Sequence, residues 1–168
     1  MNEMNDKKTI AIGIDPGKDG AMAILWPRRE PGDSSFVHEG PKVYAFDKER
    51  YRGALTAILP HRFDYRIVCV LEHVGAMPGQ GCVSMFNFGE NFGWLQGMLY
   101  AYNIPYELVR PQKWKKEFSC TSDKNTSIEV ACRLFPNVDL RRTEKCKGPH
   151  DGICEALLMA EYARRRLA

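Results

Sequence analysis

The chain reads as an α/β domain, one mixed five-stranded sheet flanked by helices. Three observations predict this. Short apolar, β-branched runs bounded by turn residues mark strands at residues 9–15, 21–26, 36–46, 67–72 and 106–109. Segments with helical spacing follow the third strand and each later one. No repeat or linker divides the 168 residues, a length suited to one core, since a chain near ~150 residues buries roughly 70% of its unfolded surface. The polar start MNEMNDKK (residues 1–8) is expected to be flexible, which leaves 9–168 as a single domain.

TIAIGID (9–15) predicts a buried strand stopped by Pro16-Gly17. After the turn KDG, AMAILW (21–26) is a second strand. The polar turn PRREPGDSS leads to a third at 36–46, so the three form an antiparallel meander. Tyr51, Leu55, Ile58 and Leu59 have helical spacing across 47–60, and Pro60 ends that helix. IVCVLE (67–72) is nearly continuous apolar sequence, as in a strand covered on both faces. The loop GAMPGQG then precedes a long helix at about 84–102. YELV is the fifth strand, and Pro111 starts a helical turn over QKWKKEF. Ser122 or Asp123 caps a helix running to about 135, and a last helix runs from about 150 to the end.

Apolar and charged fractions are ordinary for a globular protein. The sequence holds no apolar run of about 18 residues, which argues against a membrane span. The polar start lacks a secretory core, so a cytoplasmic protein is expected. In that setting the six cysteines, none in a CxxC pair, are read as reduced thiols. Cys146, His150 and Cys154 stand at four-residue steps but lack a fourth zinc ligand. Net charge is only +3, yet it is unevenly spread. Arg110, Lys113, Lys115, Lys116 and Lys124 crowd one stretch, and Arg141, Arg142, Lys145 and Lys147 another, which suggests local patches for a polyanion.

The acids carry the chemistry. Asp15 closes the first strand and Glu72 the fourth, so two parallel neighbours would bring both to the switch point where open α/β sheets place ligands. Asp151 and Glu155 stand one turn apart on the last helix, beside its apolar face, where like charges repel. Four converging carboxylates suit Mg2+ or Mn2+. Two such ions about 4 Å apart serve phosphodiester hydrolysis. Taken alone, each acid also fits a solvated strand end or helix surface.

The element order is that of the ribonuclease H-like fold, and several segments together resemble the RuvC family of Holliday junction resolvases. IGIDPGKDGAMAIL resembles its first strand and catalytic aspartate, and VLEHVGAMPGQG its second acidic strand with the junction-contacting loop. VRPQKWKKEFSCTSDKNTSIEVACRLFP resembles its basic segment, and HDGICEALLMAEYARR its closing acidic helix. Phage and chloroplast members share the Pro-x-x-Trp-Lys element. The resemblance implies a ribonuclease H-like sheet in the order 3-2-1-4-5 and a crossover junction endonuclease that nicks four-way DNA in symmetrical pairs. It implies two metal ions held by Asp15, Glu72, Asp151 and Glu155. Lys115 and Lys124 match basic DNA-contacting positions, with Lys124 nearest the scissile phosphate and Lys113, Lys116 and Arg110 on flanking backbone. Two departures stand out. Bacterial members space the helix acids by three residues, whereas here the spacing is four, with Gly152 in the place of the missing acid; that leaves His150 as a substitute or assistant for Asp151. Their aromatic after the acidic strand is Gly75 here, so a wedge residue would be Met77 or Phe86.

Gly89, Gly93 and Gly97 repeat every four residues in the long helix. Each costs up to ~1 kcal/mol relative to alanine, so close approach by a neighbour is expected. Two neighbours fit: the chain's own sheet, or a second copy in a homodimer, as the resemblance implies. An actin-like ATP-binding protein needs a second domain, so no nucleotide cofactor is expected. A related nuclease acting on RNA precursors shares the opening motif but does not need the glycine-striped helix. A non-catalytic branched-DNA-binding protein has no use for four acids.

Overall fold

The computed structural model describes residues 8–27, 40–73, 75, 79 and 81–168. The expected flexible N-terminus, the polar turn and the first residues of the expected third strand lie outside these, except Lys8 and Pro27. Five strands form one sheet in the order β3-β2-β1-β4-β5. They are β1 (Thr9–Ile14), β2 (Ala21–Leu25), β3 (Lys42–Ala45), β4 (Arg66–Glu72) and β5 (Tyr106–Val109). β1 pairs antiparallel with β2 and parallel with β4. This is the α/β sheet and strand order expected from the sequence.

β1 shows why the sheet has two unlike faces. Side chains alternate along a strand, so Ile10, Ile12 and Ile14 point one way and Ala11 and Gly13 the other. The isoleucines join Met22, Ile24, Cys69 and Leu71 in a core covered by α1 (Lys48–Ile58) and α2 (Cys82–Ala101). The small side receives α5 (Asp151–Arg166), which is buried through most of its length. A Cβ added to Gly13 would stand 2.2 Å from the Ala156 carbonyl oxygen and 2.3 Å from the Ala160 nitrogen. Only a residue without a side chain lets α5 lie this close to the sheet.

α3 (Pro111–Glu117) and α4 (Lys124–Leu134) pack against α5. Pro111 occupies the first turn of α3, where the missing N–H costs nothing. Of the two expected caps of α4, Asp123 is the one used, accepting from the Asn125 amide at 3.0 Å. A 3-10 turn (Leu59–Phe63) extends α1 past Pro60. α2 begins two residues before the expected start.

The glycine stripe does not pack on the chain's own sheet. Gly89, Gly93 and Gly97 are exposed, and among the described residues nothing comes within 4 Å of a Cβ built on any of them. Val83, Phe86 and Tyr100, on the same helix, are also exposed.

Candidate active site

β1 and β4 are parallel neighbours with Ile14 opposite Leu71, so Asp15 and Glu72 leave adjacent strand ends side by side. α5 crosses the same sheet with Asp151 and Glu155 in its first two turns. The four carboxylates interact electrostatically with one another, Asp15 with both helix acids and with Glu72. Burial first, and then like charge, raise two of them. Asp15 is pushed up to about 6 and Glu72 to about 7.

Each acid has a partner, and the partners fall into two kinds. Neutral N–H groups hold the strand acids: the Gly17 amide donates to Asp15 Oδ1 at 3.0 Å, and the Trp114 indole to Glu72 Oε1 at 2.8 Å. Ammonium groups hold the helix acids. Lys115 Nζ stands 2.7 Å from Glu155 Oε1, with both side chains largely buried, and Lys124 Nζ bonds Asp151 Oδ2. Burial is the largest single influence on Asp151 and acts to raise it, but the Lys124 hydrogen bond and charge, together with the Gly152 amide, outweigh it and keep this carboxyl below its ordinary value. Ser127 Oγ adds a contact to Glu155 at 3.4 Å.

Among the described residues, no three His, Cys, Asp or Glu side chains are set to grip one ion as they stand. The cysteine–histidine steps therefore build no zinc site, and Cys154 is fully buried. All six cysteines are free thiols. The acid cluster is a different case, because its donor chemistry fits a hard divalent cation. Its acidic groups offer carboxylate oxygens, and burial with like charge raises two of the four, a load that a divalent cation would relieve.

The structure separates the basic residues that the sequence ran together. Lys115 turns inward to Glu155, whereas Lys124 reaches Asp151 with its side chain still 70% exposed. Lys113 and Lys116 lie on the opposite face of α3, lining an open groove with Glu107, Glu117 and Arg166 near the far end of α5. Arg110 is exposed at the start of α3. In the second basic cluster, Arg141 pairs with Asp139, and Arg142 reaches Asp19 of the β1–β2 turn at 2.7 Å.

His150 stands at the N-cap of α5 with its Nδ1 buried, 3.8 Å from Asp151 Oδ1 and, among the described residues, without a hydrogen-bond partner. Gly152 has a packing reason: a Cβ there would stand 2.4 Å from the Asp19 carbonyl oxygen and 3.1 Å from the Gly20 Cα. Of the wedge candidates, Phe86 is 73% exposed on α2, and Met77 lies outside the described residues. Trp114, Ser127 and the Asp19–Arg142 pair escaped the sequence reading. The Pro-x-x-Trp-Lys element was the one available signal for Trp114.

The fold is that of RuvC. A structure of Thermus thermophilus RuvC in complex with a Holliday junction substrate is 14% identical, with a TM-score of 0.57, covering 93% of this chain and 95% of that one. A second Thermus thermophilus RuvC structure is 16% identical over the same shares, with a TM-score of 0.52. No protein-family model matches the chain, and no curated protein matches it. Among the described residues no helix is long and apolar enough to cross a membrane.

Proposed function

We propose that this protein is a metal-dependent endonuclease that resolves four-way DNA junctions by paired, symmetrical nicks. The observation that carries the reading is the meeting of Asp15, Glu72, Asp151 and Glu155, from three separated segments, beside two lysines on a RuvC fold. Asp15, Glu72, Asp151 and Glu155 would hold two Mg2+ or Mn2+ ions. When bound, such ions make water acidic enough to attack a phosphodiester and stabilise the departing oxygen. The protein's own part is to hold the largely buried carboxylates together and to bring the DNA backbone to them. Lys124, whose ammonium bonds Asp151 while its side chain stays 70% exposed, would meet the scissile phosphate once the acids have another counter-ion. Arg110 would add positive charge for flanking phosphates at the start of α3, Lys113 and Lys116 on its opposite face would serve only DNA that runs on past the far end of α5, and Lys115 acts inside the cluster.

Nicking a synthetic four-way junction with and without Mg2+, beside linear duplex and structured RNA, tests the reading. Metal-dependent paired nicks in the junction alone are expected. Preference for the RNA would point to a precursor-trimming nuclease, and tight junction binding without cutting to a binding module. In the same assay Lys124→Ala should slow cutting by about 10- to 100-fold and lower the salt slope of binding by about one. An unchanged rate together with an unchanged slope removes Lys124 from the site.

Paired nicks on strands of like polarity call for a two-fold homodimer. The exposed apolar and glycine face of α2 is the surface we assign to it. Gly93→Arg is expected to turn a dimeric mass, measured by light scattering, into a monomeric one. A dimer that survives this change is held elsewhere.

A further inference from the structure

We propose that Trp114 is a positioning residue for the cut: its indole N–H fixes one oxygen of Glu72 and leaves the other to face a cation. The inference rests on the metal-site reading above. Glu72 is 6% exposed and Trp114 not at all, so the indole has no water as an alternative partner and the carboxylate has little. A buried carboxylate needs a donor. The choice of donor then decides what else the carboxylate can do. A lysine would hold Glu72 but would also cancel its charge, as Lys115 does for Glu155 at 2.7 Å. An indole has a single donor, no acceptor and no charge. At 2.8 Å it restrains Oε1 and leaves the negative charge in place for an incoming ion.

Local structure makes the arrangement rigid. Trp114 sits in the core cluster with Val109, Phe118 and Ile153, so the ring cannot follow a drifting carboxylate. Its neighbour in sequence, Lys115, holds Glu155, and its ammonium lies 5.2 Å from the Trp114 ring centroid. Consecutive residues of one short helix thus grip acids from two different elements, one from β4 and one from α5. The Gly17 amide on Asp15 repeats the neutral kind of anchor on the other strand acid. Both strand acids are therefore oriented without being neutralised. Groups that orient metal ligands from behind typically account for about 10- to 100-fold in metal affinity or activity.

The test measures Mn2+ binding to the full chain by calorimetry, with Trp114→Phe, Glu72→Gln and the double variant. It also follows the indole N–H signals by NMR during an Mg2+ titration. Trp114→Phe keeps an aromatic ring and drops the donor, so the Mn2+ dissociation constant should rise about 10-fold or more. Adding it to Glu72→Gln should cost nothing further. In the unaltered chain, one of the three indole signals should move on Mg2+ addition, and should shift in Glu72→Gln even without metal. Wild-type affinity in Trp114→Phe overturns the inference, as does an equal loss in the Glu72→Gln background, which marks a purely structural role. Should Trp114→Phe not fold, the NMR arm decides, since indole signals indifferent to Glu72→Gln overturn it equally. A wild-type chain that binds no Mn2+ overturns the metal-site reading and this inference with it; one that binds Mn2+ while ignoring Trp114→Phe overturns only the latter.

Discussion

Asparagine in place of Asp15 should lower junction cleavage by about a thousand-fold, or about 4 kcal/mol of barrier, while junction binding stays intact or tightens. The change removes one negative charge from the acid cluster and keeps the shape of the side chain. The same substitution should make the metal-free protein more stable at pH 8. Burial holds Asp15 near 6, above its ordinary 3.8, so between those values the folded chain binds the proton that the unfolded chain has released. Stability therefore falls as pH rises through that window, and is lowest once the folded group is ionised. Glu72 adds a fall of the same sign, extending to about 7. At about 1.4 kcal/mol per pH unit, the Asp15 displacement amounts to roughly 3 kcal/mol. Melting curves at pH 5 and pH 8 without metal should show a loss for the natural chain and a smaller one for Asp15→Asn. Wild-type nicking by the variant, or an unchanged pH trend, would remove Asp15 from the site.

The second large effect concerns Gly13, which touches no reacting group. Gly13→Ala drives a methyl into the Ala156 carbonyl and the Ala160 amide, both backbone atoms that cannot rotate away. Overpacking costs typically about 1–3 kcal/mol, and the upper end is expected where helix backbone is the obstacle. For a domain of this size, 3 kcal/mol lowers Tm by about 6–12 °C. Cleavage should fall as well, because α5 must move outward with Asp151 and Glu155 on it. Gly53→Ala provides the contrast. Gly53 lies exposed in α1 with nothing among the described residues within 4 Å of its missing Cβ, so the change should stabilise by about 0.5–1 kcal/mol. A neutral Gly13→Ala would show that α5 tolerates a looser seat.

Much of the fold was legible because its strands carry strong local signals. Ile10, Ile12 and Ile14 alternate with small residues, and IVCVL is apolar throughout, so β1 and β4 were read within a residue of their ends. The acids were legible because each closes a strand or opens a helix. The directions of the α3 side chains were not. Trp114, Lys115 and Lys116 are adjacent in sequence, and which of them faces Glu72, Glu155 or solvent depends on where β4 and α5 lie. The glycine stripe showed the same limit. Spacing signalled close approach by a neighbour on α2, whereas only the packing shows that, among the described residues, the chain's own sheet leaves this face uncovered.

The abutment of Gly152 on the Asp19 carbonyl has a consequence for how such a site can be altered. The tip of the first hairpin occupies the space that a third helix acid would need, and Arg142 ties that tip down from the far side. Gly152→Asp alone would force its Cβ against the Asp19 carbonyl and push the hairpin away from the helix. A side chain at position 152 therefore requires the turn at Asp19 and Gly20 to be rebuilt in the same step.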